Sequence, residues 1–387
     1  MITVIADDIT GAAEIAGVCL RYGLRVTFGI ESVPGTECDV CVISTESRSA
    51  SETEAYSIYL NLTKEVITGS DTIIFKKCDS VLRGYVLSEL TAMMEVMKLK
   101  RVILQPTNPL SGRCIRQGLY YVGNEKIADT AFSHDPDFPA TVSEVQQLLL
   151  QRSPFYNRIT VMHTGHIREI KGEGVFIPDC STVEELKTCS EISGNEKLVC
   201  GSAAFFEQVL LQKKIAVKLK DQPDTPISSD FLLISGSTHS ASRNFANHMR
   251  DLECPVMAFP AAMLQEKIET TAMDQWIDEL VVVWSQQHKL TLTISENNIS
   301  FPGSSTILKQ RMSAVVKGLA ERCDIKELLI EGGATAYSIL NVLDSKTLIP
   351  VRELSPGVIR MQNFMIPSMH LTIKPGSYPW PENIISL

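Results

Sequence analysis

Two adjacent carboxylates, Asp7 and Asp8, stand directly after the apolar run Ile2–Ala6 and before Thr10-Gly11. Two such groups in one cleft repel each other unless a ligand or a cation offsets their charge. One can cap a helix; the other is then left to bind a hydroxyl or take its proton. A second concentration of charge, Lys76-Lys77-Cys78-Asp79-Ser80-Val81-Leu82-Arg83-Gly84, follows another apolar run. Lys77 and Arg83 suit a substrate carboxylate, arginine through its planar fork. Asp79 can position a hydroxyl or pair with a lysine, and the whole turn can also be read as a structural ion-pair cluster. The neighbouring cations should lower the Asp79 pKa and make it an organiser. Asp8 lies one step further beyond the strand than Asp7 and is preferred as general base, with Asp7 the alternative.

Two glycine-rich turns form a different pattern. Ser235-Gly236-Ser237-Thr238-His239-Ser240 and Glu331-Gly332-Gly333-Ala334-Thr335 each separate an apolar run from an amphipathic one. Small residues let backbone N–H groups approach a phosphate, and a helix N-terminus adds positive potential. One such turn is explained by capping; two in one half of the chain favour nucleotide phosphates. The chain has no G-x-x-x-x-G-K-S/T loop, no G-x-G-x-x-G, no nucleophile elbow and no H-E-x-x-H, so the common NTPase, dinucleotide, hydrolase and zincin readings lose support. His163-Thr164-Gly165-His166 lacks nearby carboxylates and fits a loop better than a metal site.

The elements that must hold these residues follow a βαβ rhythm. Apolar runs at 2–6, 26–30, 40–45, 72–76 and 101–106 alternate with helical patterns at 12–22, 51–66 and 85–97, as in a mostly parallel sheet covered by helices. A long irregular segment with Pro106, Pro109, Gly112, Gly118, Gly123, Pro136 and Pro139 is expected to belong to the site. Strands are expected again at 159–163, 174–178 and 197–201. The polar stretch 219–229, with two prolines, separates a first domain at 1–222 from a second at 223–387. The second repeats the rhythm with strands at 231–235, 256–259, 290–294 and 327–333, helices at 240–252, 305–322 and 334–343, and closing strands near 347–352 and 368–374. The expected fold is therefore α/β in two domains, each a mostly parallel sheet flanked by helices, with the active site in the inter-domain cleft.

Composition narrows the function. The formal charge of -9 over 387 residues disfavours nucleic acid as a partner, and no apolar run is long enough to cross a bilayer. The 10 cysteines are scattered, many within apolar runs, as in reduced cytoplasmic proteins. Cys38 and Cys41 form a lone Cys-x-x-Cys without a second pair, which fits a strand better than a metal site.

Taken together, ADDITGA, KKCDSVLRG, the Pro106-to-Pro139 segment, SGSTHSASR, EGGATA and TIKPGSY resemble the four-carbon acid sugar kinase family over nearly the whole chain. The resemblance implies an N-terminal substrate domain, a C-terminal nucleotide domain, and phosphorylation of a tetronate such as D-threonate, D-erythronate or a 3-oxo-tetronate by ATP with Mg²⁺. It implies substrate contacts from Asp8, Lys77, Asp79, Ser80 and Arg83, and nucleotide contacts from Ser237, Gly332, Gly333, Ala334, Thr335 and Gly376. The chain departs from the family's usual pattern at Thr238-His239 and at Ala334, where an acidic residue is common. The competing readings are a two-domain oxidoreductase of hydroxy acids and a non-catalytic organic-anion binding protein. No motif fixes the substrate's stereochemistry or the acceptor hydroxyl, and the sequence is compatible with a homo-oligomer.

Overall fold

The computed structural model describes the chain apart from residues 1, 36, 68–72, 154–160, 165–171, 223–225, 237–239, 261–262, 264, 266–269, 295–303, 377, 382–383 and 385–387. It divides into two compact units, Met1–Lys220 and Asp221–Leu387.

The first unit runs β1 (Ile2–Ala6), α1 (Ile9–Arg21), β2 (Val26–Ile30), β3 (Val40–Ser44), α2 (Glu52–Val66), β4 (Ile73–Lys77), α3 (Val86–Met97) and β5 (Arg101–Gln105). It continues with β6 (Arg113–Arg116), β7 (Leu119–Val122), β8 (Glu125–Lys126), α4 (Val145–Arg152), β9 (Val161–Thr164), β10 (Gly174–Pro178), α5 (Val183–Ile192), β11 (Leu198–Gly201) and α6 (Ala203–Gln212). Its main sheet has the order β2-β3-β1-β4-β11-β5-β10-β9, and every neighbouring pair is parallel. β1, β2 and β3 are buried along their whole length, because helices cover both faces of such a sheet. α1 starts on Asp8 and turns Gly11, Ala12, Ala13, Ala16 and Gly17 inward, so small side chains let it lie close to the sheet. α2 starts on a Ser51–Glu54 capping box.

The segment expected to be irregular is partly regular: β6, β7 and β8 form a small antiparallel sheet of their own. Its glycines mark the turns, with Gly118 and Gly123 at positive φ. β4 extends to Lys77 rather than ending at Lys76. The period of two then sends these neighbouring lysines to opposite faces.

The second unit runs β12 (Phe231–Ser235), α7 (Ser240–Asp251), β13 (Val256–Ala258), α8 (Thr270–Gln287), β14 (Lys289–Thr293), α9 (Ser304–Ala320), β15 (Glu327–Glu331) and α10 (Gly333–Val342). It closes with β16 (Thr347–Ser355), β17 (Val358–Asn363) and β18 (His370–Lys374). The order is β13-β14-β12-β15-β18-β17-β16, parallel as far as β18 and antiparallel beyond it. β16 falls where a strand was expected near 347–352 and runs on to Ser355, whereas α8 and β17 are additions to the sequence expectation; Gly357 at φ 79 makes the β16–β17 turn.

All 10 cysteines are free thiols. Among the described residues, no helix is long and apolar enough to cross a membrane. His163 lies in β9, whereas Gly165 and His166 lie outside the described residues.

Candidate active site

In the first unit the strand order reverses at β1, which has β3 on one side and β4 on the other. Crevices beyond the strand ends at such switch points are where open α/β sheets bind ligands. The three strands end level, since Ala6 is in register with both Ser44 and Lys77. The residues that follow them, Asp7-Asp8, Glu46 to Arg48, and Asp79 to Arg83, therefore converge.

Arg48 joins them. Its Nε lies 2.8 Å from Asp7 Oδ2, Nη1 3.0 Å from Asp8 Oδ2 and Nη2 2.9 Å from Asp8 Oδ1. Asp79 Oδ1 is 3.8 Å from Nη2. Asp8 also caps α1, accepting from the Gly11 N–H at 2.9 Å and from the Thr10 hydroxyl. Its side chain is 15% exposed, whereas that of Asp7 is fully buried. Burial works to raise the Asp7 carboxyl, but the charges of Arg48 and Lys76 outweigh it and hold the group below its ordinary range. At Asp79 burial likewise opposes ionisation, and Arg83 and Arg48 overcome it by a wide margin.

Asp79 accepts from Arg83 through Nε at 3.1 Å and Nη2 at 2.9 Å, and from the Val81 and Arg83 N–H groups. Arg83 Nη1 reaches Asp135 at 3.4 Å. The Ser80 hydroxyl accepts from Arg113 of β6, and the Ser80 carbonyl accepts from the Tyr120 hydroxyl of β7. The small sheet thus braces the charged turn. Lys77 is buried, with Nζ 3.0 Å from the Cys78 carbonyl and 3.3 Å from Glu14 Oε2. An ammonium has three N–H groups, so among the described residues one of them lacks a protein acceptor. Lys76 faces the other way and pairs at 2.6 Å with Glu89 of α3, both side chains fully buried.

Glu46, which the sequence did not single out, sits at φ 53 beside this cluster and accepts from the Ser44 hydroxyl at 2.8 Å. Burial and the nearby Asp8 charge push its carboxyl from 4.5 up to about 8. A raised carboxyl contributes stability that is complete below its unfolded value and lost as pH rises through the folded one. Glu46→Gln should therefore flatten a decline in stability between pH 4.5 and about 8. Urea midpoints at both ends of that window check this; an unchanged slope assigns the decline to another group.

In the second unit β12, β15 and β18 also end level, Glu331 being in register with Ser235 and Lys374. The Gly332 N–H donates to the Lys374 carbonyl at 2.8 Å. Gly332 has φ 97 and precedes α10, a conformation that a side chain would strain. Gly333, Ala334 and Thr335 form the first turn of α10. A Cβ on Gly236 would stand 2.8 Å from the Thr335 hydroxyl, so the two glycine-rich turns adjoin. Gly376 follows β18, and among the described residues nothing lies within 4 Å of where its Cβ would be. Ser237, Thr238 and His239 lie outside the described residues. The Glu331 carboxylate accepts from the Ser235 and Ser242 hydroxyls and from Lys374 Nζ, tying β12, α7 and β18 together below the turns.

Residues 2–209 match the model of a sugar-binding N-terminal domain, and residues 232–378 match that of a nucleotide-binding C-terminal domain. The chain is 23% identical to a D-threonate kinase of Salmonella typhimurium, over 92% of this chain and 89% of that protein. It is 24% identical to a 3-oxo-tetronate kinase of Pectobacterium atrosepticum, over 97% and 95%. Its fold is similar to that of a solved Haemophilus influenzae protein, with 17% identity, a TM-score of 0.75 and coverage of 97% and 96%. A solved Salmonella typhimurium protein shares the fold at 21% identity and a TM-score of 0.81, with the same coverage.

Proposed function

We propose, for a chain that belongs to the family pairing a sugar-binding N-terminal domain with a nucleotide-binding C-terminal domain, that it is an ATP-dependent kinase of a four-carbon acid sugar. The observation that carries this reading is the gathering of Asp7, Asp8 and Asp79 around Arg48 at the switch point, with Lys77 and Arg83 alongside. Carboxylates suit hydroxyl recognition and proton removal, and cations suit an acid group; a tetronate presents both. The first unit binds the acid sugar, and the glycine-rich turns of the second bind the nucleotide phosphates through Gly332, Gly333, Ala334, Thr335, Gly376 and Ser237.

In this reading a substrate hydroxyl attacks the γ-phosphorus. The new O–P bond forms as the bond to the β,γ-bridging oxygen breaks, ADP leaves, and the hydroxyl proton passes to a carboxylate of the first unit. Magnesium arrives on the nucleotide phosphates as part of the substrate and needs no protein cage. Among the described residues, no three His, Cys, Asp or Glu side chains form a group able to hold a metal ion.

Incubating the full chain with Mg·ATP and a panel of D-threonate, D-erythronate and 3-oxo-tetronates, with ADP release as readout, tests the reading. Acid-dependent ADP release supports it; tight acid binding without ADP release would make the chain a binding protein. Arg83→Ala should raise the KM for the acid roughly ten- to a hundredfold through loss of a charge-assisted contact. Unchanged KM with retained activity would leave Arg83 only the task of holding Asp79.

A further inference from the structure

The charged turn after β4 belongs to a closed circuit of hydrogen bonds. Arg152, at the end of α4, donates from Nη1 to the Val81 carbonyl at 3.0 Å and from Nη2 to the Phe138 carbonyl at 2.9 Å. The Val81 N–H donates to Asp79 Oδ2 at 3.1 Å, and Asp79 grips Arg83 along the Nε edge. Arg83 Nη1 reaches Asp135 Oδ2 at 3.4 Å, and Asp135 Oδ1 accepts from the Phe138 N–H at 2.8 Å. Phe138 also packs edge-on against Tyr85, with ring centroids 5.3 Å apart. The circuit therefore joins three separate parts of the chain: the charged turn, the segment ahead of Pro139, and α4.

Arg83 is the member with donors to spare. A guanidinium has five N–H groups, and three of these are engaged, so among the described residues one on each terminal nitrogen lacks an acceptor. Two such donors suit an acid group. The guanidinium plane is fixed because a carboxylate holds it from either side, Asp79 at Nε and Nη2 and Asp135 at Nη1. Arg152 is a costly residue to bury here. Its Nε has no hydrogen-bond partner, and among the described residues no carboxylate pairs with it. An apolar side chain would fill the same space without that desolvation, so packing alone does not account for it. What its two bonds do is set the separation between the turn that carries Arg83 and the segment that carries Asp135.

We propose that Asp135 and Arg152 are positioning residues for acid recognition: they hold the Arg83 guanidinium in the orientation that receives the substrate carboxylate. The inference rests on the reading that the first unit binds an acid sugar through Arg83. Ordering a long side chain in advance lowers the entropy lost on binding, so loosening the circuit acts on affinity for the acid and leaves the chemical step alone. Steady-state ADP release by the full chain, with Mg·ATP and the tetronate it turns over fastest, tests this in a double-mutant cycle. Asp135→Asn should raise the KM for the acid about three- to tenfold, with kcat and the KM for ATP within about twofold of wild type. In an Arg83→Ala background the same substitution should raise the acid KM no further, because residues that act as a unit are not additive. Arg152→Met should repeat the pattern of Asp135→Asn; circular dichroism checks its folding, and if it is misfolded the Asp135 cycle decides alone. An unchanged acid KM in Asp135→Asn, or an equal rise with and without Arg83, would overturn the proposal. So would an Arg83→Ala variant with wild-type acid KM, although the kinase reading would survive it. A wild-type protein that releases no ADP with any acid of the panel would overturn both together.

Discussion

Replacing Asp8 by asparagine should lower kcat by about 10²-fold or more while the fold and nucleotide affinity persist. The expectation separates chemistry from scaffolding because asparagine is nearly as good a helix cap as aspartate. It can still accept from the Gly11 N–H, as Asp8 does at 2.9 Å. What it cannot do is take a proton from an attacking hydroxyl. Access favours one of the two neighbours: the Asp8 side chain is 15% exposed and that of Asp7 is fully buried, so Asp8 is the carboxylate expected to meet a substrate hydroxyl. Four contacts already surround the Asp8 carboxylate, two from Arg48 and one each from Thr10 and Gly11. A substrate hydroxyl must displace one of them, and the Thr10 hydroxyl can rotate aside at least cost. Asp7→Asn should act chiefly on stability, by loosening Arg48. If Asp8→Asn retains wild-type kcat and Asp7→Asn abolishes turnover, Asp7 is the base.

The Arg48→Met variant should lose about 3–5 kcal/mol of stability at neutral pH, the range seen when one partner of a buried ion pair is removed. Turnover should fall with it, because Asp7, Asp8 and Asp79 then face one another without the shared cation. The pH dependence identifies the cause. In the native protein the Asp7 and Asp79 carboxyls are held below their ordinary 3.8. Their contribution is therefore complete above that value and lost as pH falls through the folded-state values. The gap between wild type and variant should be widest near neutrality and narrow below about pH 4. Urea unfolding at both pH values measures it. A gap of equal size at both would mean that Arg48 contributes packing rather than charge.

Arg48 also marks where sequence reasoning stopped short. The βαβ rhythm, the carboxylates after β1 and the cations after β4 are legible because each sits directly at the end of an apolar run. The end of β3 follows the same rule, and Glu46-Ser47-Arg48 stands there. Its charges are single and separated by serines, so no cluster draws the eye. The usable signal was complementarity: two adjacent acids at a switch point require a cation, and the turn after the neighbouring strand is the nearest source. The separate fates of Lys76 and Lys77 were hidden by one residue of strand length, which decides the face on which each side chain lies. Of the β16–β17 hairpin only the strand near 347–352 was expected; the Pro356-Gly357 turn and β17 were legible in principle, but nine residues of β16 with mixed burial give no clean alternation. The link from Ser80 to Arg113 and Tyr120 depends on a contact between distant segments, and no local pattern announces it.

The buried Lys76–Glu89 pair carries a consequence for how this sequence can drift. Glu89 also accepts from the Ser47 hydroxyl at 2.6 Å, so one carboxylate beneath the site is tied to the chain neighbour of Lys77 and to that of Arg48. Losing Lys76 or Glu89 singly strands a bare charge in the core, whereas exchanging both for apolar residues can be close to neutral for stability. The pair is thus an evolutionary ratchet: it is crossed only by a double step, and a lineage that takes that step must re-anchor the turn bearing Arg48 by other means. Around this site, substitutions are expected to be epistatic through the layer below the substrate, between residues that never touch it.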